Sequence, residues 1–370
     1  MVLAVSLELA KKSWKIALHD GQREKPAIYT VSSEIAAQRL EEAVKVIKDT
    51  QRKWGLADDA HIVVVYEAGQ DGFWIQRALS SMGIETLIID PASLPVERHA
   101  RRAKTDRLDA IKLVLALRAW CRGEYDRMHV IRTPDADAEA QRQLVRDRGE
   151  LQKEVQQHRD RIRKLLRTQG CWESVEGDFA ERLAQGKVTD YADRPLPTEL
   201  RERLTREWQR LTLAQQQRDA LEASLVAQLP APVQARIVRL KTLKGVGQVG
   251  AMRLVTELFW RDFDNRRQVG SCVGLVPQPY DSGESRVDQG ISKQGNRRVR
   301  ALLIEMSWLW LRYPPDSAIT QWYAQRTSGS GPNKRGKRIA IVAVARRLTI
   351  ALWRYLEQGV IPAGAALKKA

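Results

Sequence analysis

Residues 61–69 read HIVVVYEAG, and the fold turns on them. Ile62 to Tyr66 form a continuous apolar run with three valines in a row. Such a run suits a strand covered on both faces at the centre of a sheet. The run ends on Glu67, and ordinary structure gives little reason to place a carboxylate directly after a buried strand. Upstream, VLAVSLEL (2–9) and WKIAL (14–18) read as two strands joined by a short Lys-Lys turn, with a third near 27–31. Residues 33–54 have helical spacing and stop at Gly55. Downstream, a helix from about Gly72 to Ser81 leads to the strand IETLIID (84–90), which Pro91 stops. The basic loop ERHARRAKT then enters a helix beginning near Asp106. Strands followed by strand–helix alternation predict an α/β domain over residues 1–130.

From Pro134 the composition changes. Residues 135–168 and 198–228 are rich in Gln, Arg, Glu and Leu, with Leu144, Leu151, Val155, Ile162 and Leu165 at mixed three-, four- and seven-residue spacing. That spacing predicts two long helices, an antiparallel hairpin or coiled-coil arm over 131–229, around an irregular insertion from Gly170 to Pro197. Residues 230–370 read as a mainly α domain, broken by a Gly-rich patch and by the loop SGSGPNKRGKR at 328–338.

The net charge is +17, and its position is informative. Residues 231–370 hold 24 Lys and Arg against 9 Asp and Glu, a net of +15, which leaves +2 for residues 1–230. So one-sided an excess is the footprint of phosphate-backbone binding. The three cysteines, Cys121, Cys171 and Cys272, stand far apart with no CxxC pair, which argues against zinc and against a disulfide framework. The N-terminal MVLAVSLELAKK has no basic region ahead of its apolar run and does not read as a signal peptide. No run approaches the roughly 18 apolar residues of a membrane span. A cytoplasmic protein with no membrane partner is the expectation.

Four carboxylates stand at informative places: Glu8 in the first strand, Glu67 after the buried one, and Asp106 with Asp109 opening a helix. Asp106 and Asp109 are three apart and share a helix face. Acids at central strand ends facing a helix pair can hold divalent cations through oxygen alone, and two such ions can act on a phosphate. Each acid also has an ordinary explanation. Asp106 is placed to cap its helix, Asp109 suits a first turn, and Glu8 can be an edge charge. Asp90, before Pro91, is a further candidate that turn initiation explains well.

In LKTLKGVGQVGAMRLV, Gly245, Gly247 and Gly250 satisfy GxGxxG formally, but a dinucleotide site needs a βαβ unit, and the flanks here are helical. The spacing suits a helix-hairpin-helix-like motif instead, with Lys244, Gly245 and Gly247 presented to phosphate. A plain helix–helix turn is the simpler alternative. Further on, Ser282 sits beside Gly283, with Arg286, Lys293, Arg297 and Arg298 following. A hydroxyl in a Gly-flanked loop can approach a phosphodiester, with those cations neutralising developing charge. A turn after Asp281 explains the same serine without chemistry. Lys334, Arg335, Lys337 and Arg338 open the last helix as a basic run suited to phosphate.

These motifs together resemble the DEDD-type insertion-sequence transposases, which are similar to the Piv site-specific DNA invertase. LELAKK corresponds to the family's first motif, with Glu8 where Asp is usual and one methylene longer. YEAGQDGFW matches the second at Glu67, and AKTDRLDA reproduces the third. Gly274–Pro277, Ser282–Gly283 and Gly290–Asn296 match the C-terminal pattern. The resemblance implies a RuvC-like, RNase H-fold first domain holding Mg²⁺, two ions per site, on Glu8, Glu67, Asp106 and Asp109. It further implies a serine, best matched by Ser282 with Ser285 as rival, that becomes joined to DNA phosphate. Donor and target DNA, a structured non-coding guide RNA, and assembly as a homo-oligomer, a dimer or tetramer, are implied in the same way. A Holliday-junction resolvase-like nuclease using water explains the carboxylates without the Ser-Gly block. A non-catalytic DNA-binding protein explains the charge without KTDRLDA. All five histidines precede residue 160, so activation of a C-terminal serine falls to groups of the first domain.

Overall fold

The computed structural model describes residues 2–67, 69, 72–90, 94, 105–282, 285–328 and 334–368; at 280–288 and at Lys334 it describes the backbone alone. The basic loop before Thr105, the Gly283–Glu284 connection and most of the SGSGPN stretch lie outside the described residues. The chain divides into two units, Met1–Asp135 and Ala136–Ala370.

In the first unit the apolar runs form one sheet. Strand β1 (Val2–Leu9) pairs antiparallel with β2 (Ser13–His19), and β2 pairs antiparallel with β3 (Ala27–Ser32). After helix α1 (Ala36–Lys53), β4 (His61–Glu67) runs parallel to β1. Helix α2 (Trp74–Ser81) leads to β5 (Glu85–Ile89), parallel to β4. Helix α3 (Asp106–Cys121) precedes β6 (Val130–Ile131), which closes the order β3-β2-β1-β4-β5-β6. At two residues, β6 is too short for hydrophobic period to register in the sequence.

Both faces of the sheet are covered, which is why β4 reads as an unbroken apolar run. On one face Leu3, Val5, Leu7, Val64 and Tyr66 pack with Leu40 and Ile47 of α1 and Ile75 and Leu79 of α2. On the other, Ala4, Val63, Val65 and Ile89 pack with Ala110, Leu113, Val114 and Leu117 of α3. This is a mixed α/β architecture consistent with an RNase H-like domain.

In the second unit, α4 (Ala136–Arg167) and α6 (Thr198–Leu225) lie antiparallel. Their cross-pairs step in opposite directions: Arg148 with Glu222, Gln152 with Arg218, His158 and Arg161 with Glu207. The insertion between them is more ordered than its irregular sequence suggests. It contains α5 (Phe179–Ala184), and Cys171, Val175, Phe179, Leu183, Val188 and Leu196 pack against Ile162, Leu166 and Leu204. Helices α7 (Ala231–Lys241), α8 (Gln248–Glu257) and α9 (Arg266–Cys272) follow. A hairpin of β7 (Pro277–Ser282) and β8 (Ser285–Ile291) leads to α10 (Arg297–Arg312), α11 (Ala318–Thr327) and α12 (Lys334–Gln358). Val145, Leu225 and Leu229 join the core of these later helices, so the base of the long pair and the basic segment are packed together.

Glu207 gives a stability test for the long pair. Its carboxylate is 5% exposed and takes hydrogen bonds from His158 and Arg161 across the helices and from Arg210 on its own. Burial alone would push its pKa up, but the bonds from His158 and Arg161 outweigh it and hold the group below the usual carboxylate range. A depressed native value means stability that is complete above the unfolded carboxylate range and is lost as pH falls through the native value. Glu207→Ala should therefore cost about 1–3 kcal/mol near neutrality, and less in acid, measured by urea unfolding at two pH values.

Candidate metal centre and nucleic-acid interface

The acids of the first unit are placed by register. The parallel pairing of β1 and β4 runs from Val2 with His61 to Leu7 with Tyr66, so Glu8 and Glu67 are the next matched positions. Neighbouring strands lie about 4.8 Å apart, and side chains alternate between faces. Glu8 shares the face of Ala4 and Ser6, and Glu67 that of Val63 and Val65, which is the face that α3 covers. The Ser6 hydroxyl donates to the Ala110 carbonyl at 2.7 Å, fixing the start of α3 over β1. Asp106 and Asp109 lie in that first helical turn. Three elements thus bring the four predicted acids to one face and one end of the sheet.

Capping is assigned elsewhere. Thr105, with extended backbone, is the N-cap of α3 and its hydroxyl accepts from the Leu108 amide, so Asp106 does not serve as the cap. Asp109 is partly buried, with Lys112 at 3.8 Å, and Asp106 is exposed. Asp90 follows Ile89, and Ile89 already occupies the α3 face, so the pleat turns Asp90 to the other side. An all-carboxylate donor set suits a hard divalent cation. Among the described residues, no three His, Cys, Asp or Glu side chains form a ready-made coordination group. The first unit supplies ligand type and common placement.

The Gly-rich patch is a turn between α7 and α8. Gly245 has φ +90°, a backbone conformation that L side chains rarely adopt, and it lies against α10, where a Cβ would make an ordinary contact with the Trp310 backbone at 3.5 Å. The Lys244 amide donates to the Ala366 carbonyl, and Lys368 Nζ donates to the Val246 carbonyl, so the C-terminal residues pair with this turn. Gly247 differs: it is the N-cap of α8, with open space where a Cβ would stand.

Ser282 was expected in a Gly-flanked loop and instead ends β7, paired in register with Ser285, the first residue of β8. Both candidate serines therefore flank the tip of a hairpin. Their side chains, and that of Arg286, lie outside the described residues. The Gly290–Asn296 motif is largely structural. Lys293 has φ +58°, and a Cβ at Gly295 would stand 2.1 Å from the Cys272 carbonyl oxygen. The Asn296 side chain caps α10 and donates to Glu257. Gly295→Ala should accordingly destabilise the protein by about 2 kcal/mol or more, read as a fall in Tm. Arg298 pairs with Glu150 of α4 at 3.2 Å, and Arg300 donates to the Val273 and Gln294 carbonyls. Arg297 is exposed at the start of α10.

A groove of about 1150 Å³ opens at the base of the hairpin. Lys293 lies on its wall, as do Arg335 and Arg338 of the predicted basic run; Lys337 is exposed outside it, and the side chain of Lys334 is not described. Five further arginines line it: Arg266 and Arg267 from α9, and Arg346, Arg347 and Arg354 from α12. Among the described residues, no Asp or Glu lines it. The sequence held a signal for them. Arg338, Val342, Arg346, Ile350 and Arg354 recur every four residues, which puts alternating cations and apolar groups on one helix stripe. Trp322 of α11 also faces the groove, with the Arg347 guanidinium 4.2 Å from its ring centroid.

The model of the IS116/IS110/IS902 transposase family matches residues 238–322, which include the hairpin and Ser282. A DEDD-type IS110 transposase model matches residues 10–169, which include Glu67, Asp106 and Asp109 and begin just after Glu8. A Sinorhizobium fredii chain assigned as transposase y4rJ is 39% identical over 98% of this chain and 94% of its own length. The chain belongs to this transposase family. The transposase of insertion sequence IS1328 from Yersinia enterocolitica is 25% identical, over 81% of this chain and 85% of its own. That of IS1111A from Coxiella burnetii is 26% identical, over 80% and 77%. The protein is an insertion-sequence transposase, an enzyme that cuts and rejoins DNA. No helix among the described residues is long and apolar enough to cross a membrane.

Proposed function

We propose that this transposase moves its element through a phosphoserine intermediate on Ser282, assisted by Mg²⁺ on Glu8, Glu67, Asp106 and Asp109. The observation that carries the reading is the register that brings Glu8 and Glu67 to matched strand positions on the face covered by α3. Bound there, two ions would polarise phosphate oxygens and lower the cost of the charge that develops at phosphorus. The four carboxylates would hold those cations in place. The Ser282 oxygen forms a bond to phosphorus as its proton leaves to a carboxylate or water, and the bond from phosphorus to the sugar oxygen breaks, that oxygen keeping the electron pair and departing as a hydroxyl with a proton from water. Attack by a sugar hydroxyl of the new partner strand reverses the step, releasing the serine and rejoining DNA. Cations beside the hairpin neutralise phosphate without reading sequence.

Choice of donor and target falls, in this reading, to a structured non-coding RNA carried by the protein, which acts as a dimer or tetramer. Placement of the chain in the three domains 1–130, 131–229 and 230–370 belongs to the same proposal. The test is cleavage of DNA bearing the element's ends, with protein purified together with its RNA. Cleavage should require Mg²⁺, stop with EDTA, and leave one DNA end attached to protein. Metal-independent cleavage would overturn the reading, and free water-derived ends would replace it with the resolvase-like one. Sequencing of the co-purified RNA should return one structured transcript; a random RNA population would count against guidance.

The charge distribution adds a prediction for the whole chain. Non-specific DNA affinity should fall by about 10³-fold or more between roughly 50 and 200 mM salt, by fluorescence anisotropy. A flat response would contradict phosphate binding by the basic segment.

A further inference from the structure

The groove at the foot of the β7–β8 hairpin carries more information than a basic patch. Among the described residues it is lined by eight Lys or Arg side chains and no acid, together with the apolar Leu275, Ile319, Val342 and Ile350. A duplex presents phosphates on its outside and keeps its base faces stacked away, so the apolar part of the lining would gain little from it. A single strand exposes phosphates and base faces together, and its sites combine a cationic groove with aromatic platforms. Trp322 supplies such a platform, held by Arg347. The volume exceeds the roughly 300–1,000 Å³ of small-molecule pockets, so it accommodates more than one nucleotide.

Position supplies the second argument. Pro277, which opens β7, and Ile291, which ends β8, both line the groove, and Ser282 and Ser285 stand at the other end of the same hairpin. Five residue steps along β7 take the chain from Pro277 to Ser282, roughly 16 Å at about 3.3 Å per step. We infer that the groove receives an unpaired stretch of the DNA strand adjoining the scissile phosphate, with its phosphates on the arginines and a base on Trp322. This inference rests on the proposed role of Ser282 for what the strand is doing there, but binding itself needs no chemistry. The groove keeps a cut or melted strand close to the serine, so that the end awaiting rejoining does not re-pair elsewhere.

The test uses the full chain without Mg²⁺, so that no cleavage occurs, and fluorescein-labelled probes: a 12-nucleotide oligothymidylate, a duplex of the same length, and oligouridylate. Trp322→Ala should weaken oligothymidylate binding five- to hundredfold, the effect of losing one stacked base. Trp322→Phe should restore most of it. The double variant Arg338→Ala, Arg354→Ala should weaken it at least tenfold and flatten its salt dependence by about 1.4 in log–log slope, the share of two phosphates on a single strand. Duplex binding should change less than twofold in each. A paired control, Lys187→Ala with Arg203→Ala, removes two exposed cations outside the groove and should change little. Circular dichroism and Tm report whether each variant folds. Equal loss for duplex and single strand would overturn the inference, as would no loss at all. Tighter binding of oligouridylate with the larger loss would transfer the groove to RNA and overturn it as a DNA site. Loss of the serine adduct with groove binding intact would instead remove only the nucleophile reading.

Discussion

Glu67→Gln is expected to lower strand cleavage by roughly a thousandfold or more while leaving DNA binding within a few-fold of the wild type. The magnitude follows from removing one anionic ligand from the proposed site, whose ions would supply several kcal/mol of transition-state stabilisation, at 1.36 kcal/mol per tenfold. The side chain keeps its shape, and β4 is buried on both faces by residues other than Glu67, so the sheet should stand. Asp109→Asn should act similarly because Asp109 lies in the α3 turn that Ser6 fixes over β1. Glu8 is the more informative position. Glu8→Asp restores the residue usual in the family's first motif, and retained cleavage there with loss in Glu8→Gln would place the charge, and not the extra methylene, in the reaction. Gel-based cleavage and anisotropy on the same protein samples separate chemistry from binding. Wild-type cleavage by Glu67→Gln would contradict the acidic site.

Ser282→Ala is expected to have the larger effect, a loss on the order of a millionfold, because the atom that carries the covalent bond in the proposed mechanism is gone. Ser285→Ala should retain cleavage within about tenfold. The two serines are paired in backbone register across the hairpin, so each variant removes one hydroxyl at a matched position and the comparison isolates the reacting one. Loss in Ser285→Ala with activity in Ser282→Ala would exchange their roles. DNA binding by both variants should match the wild type, since the groove cations lie at the other end of the hairpin.

The sheet was legible in the sequence where period and burial agree. The run Ile62–Tyr66 announced a central strand, and VLAVSLEL announced its neighbour. The two long helices were legible because Gly and Pro are nearly missing from them. What the sequence hid is what depends on contacts between distant segments. Strand β6 exists because β5 offers it an edge. The β7–β8 hairpin carries two prolines in its first strand, which argues against a central strand, yet a two-stranded ribbon tolerates them. Among the site residues, Glu67 and Asp109 were marked by local pattern, whereas the common face of Glu8 and Glu67 needed the parallel register. Arg297 and Arg298 read as phosphate contacts from charge alone; the structure adds a surface ion pair of Arg298 with Glu150, and no sequence feature links positions so far apart. Arg266 and Arg267 were missed for the same reason, because α9 meets α12 only in the fold.

The central claim is a covalent bond between Ser282 and DNA. Incubating the RNA-loaded protein with Mg²⁺ and a nicked or mismatched substrate should trap the intermediate by preventing rejoining. Denaturing electrophoresis should then show a protein–DNA band, and nuclease and protease digestion followed by mass spectrometry should place a nucleotide on Ser282 within the peptide spanning Asp281–Arg286. The band should vanish in Ser282→Ala and without Mg²⁺. An adduct on Ser285 would contradict the choice of residue, and cleavage to free ends with no protein–DNA band would contradict the phosphoserine account itself.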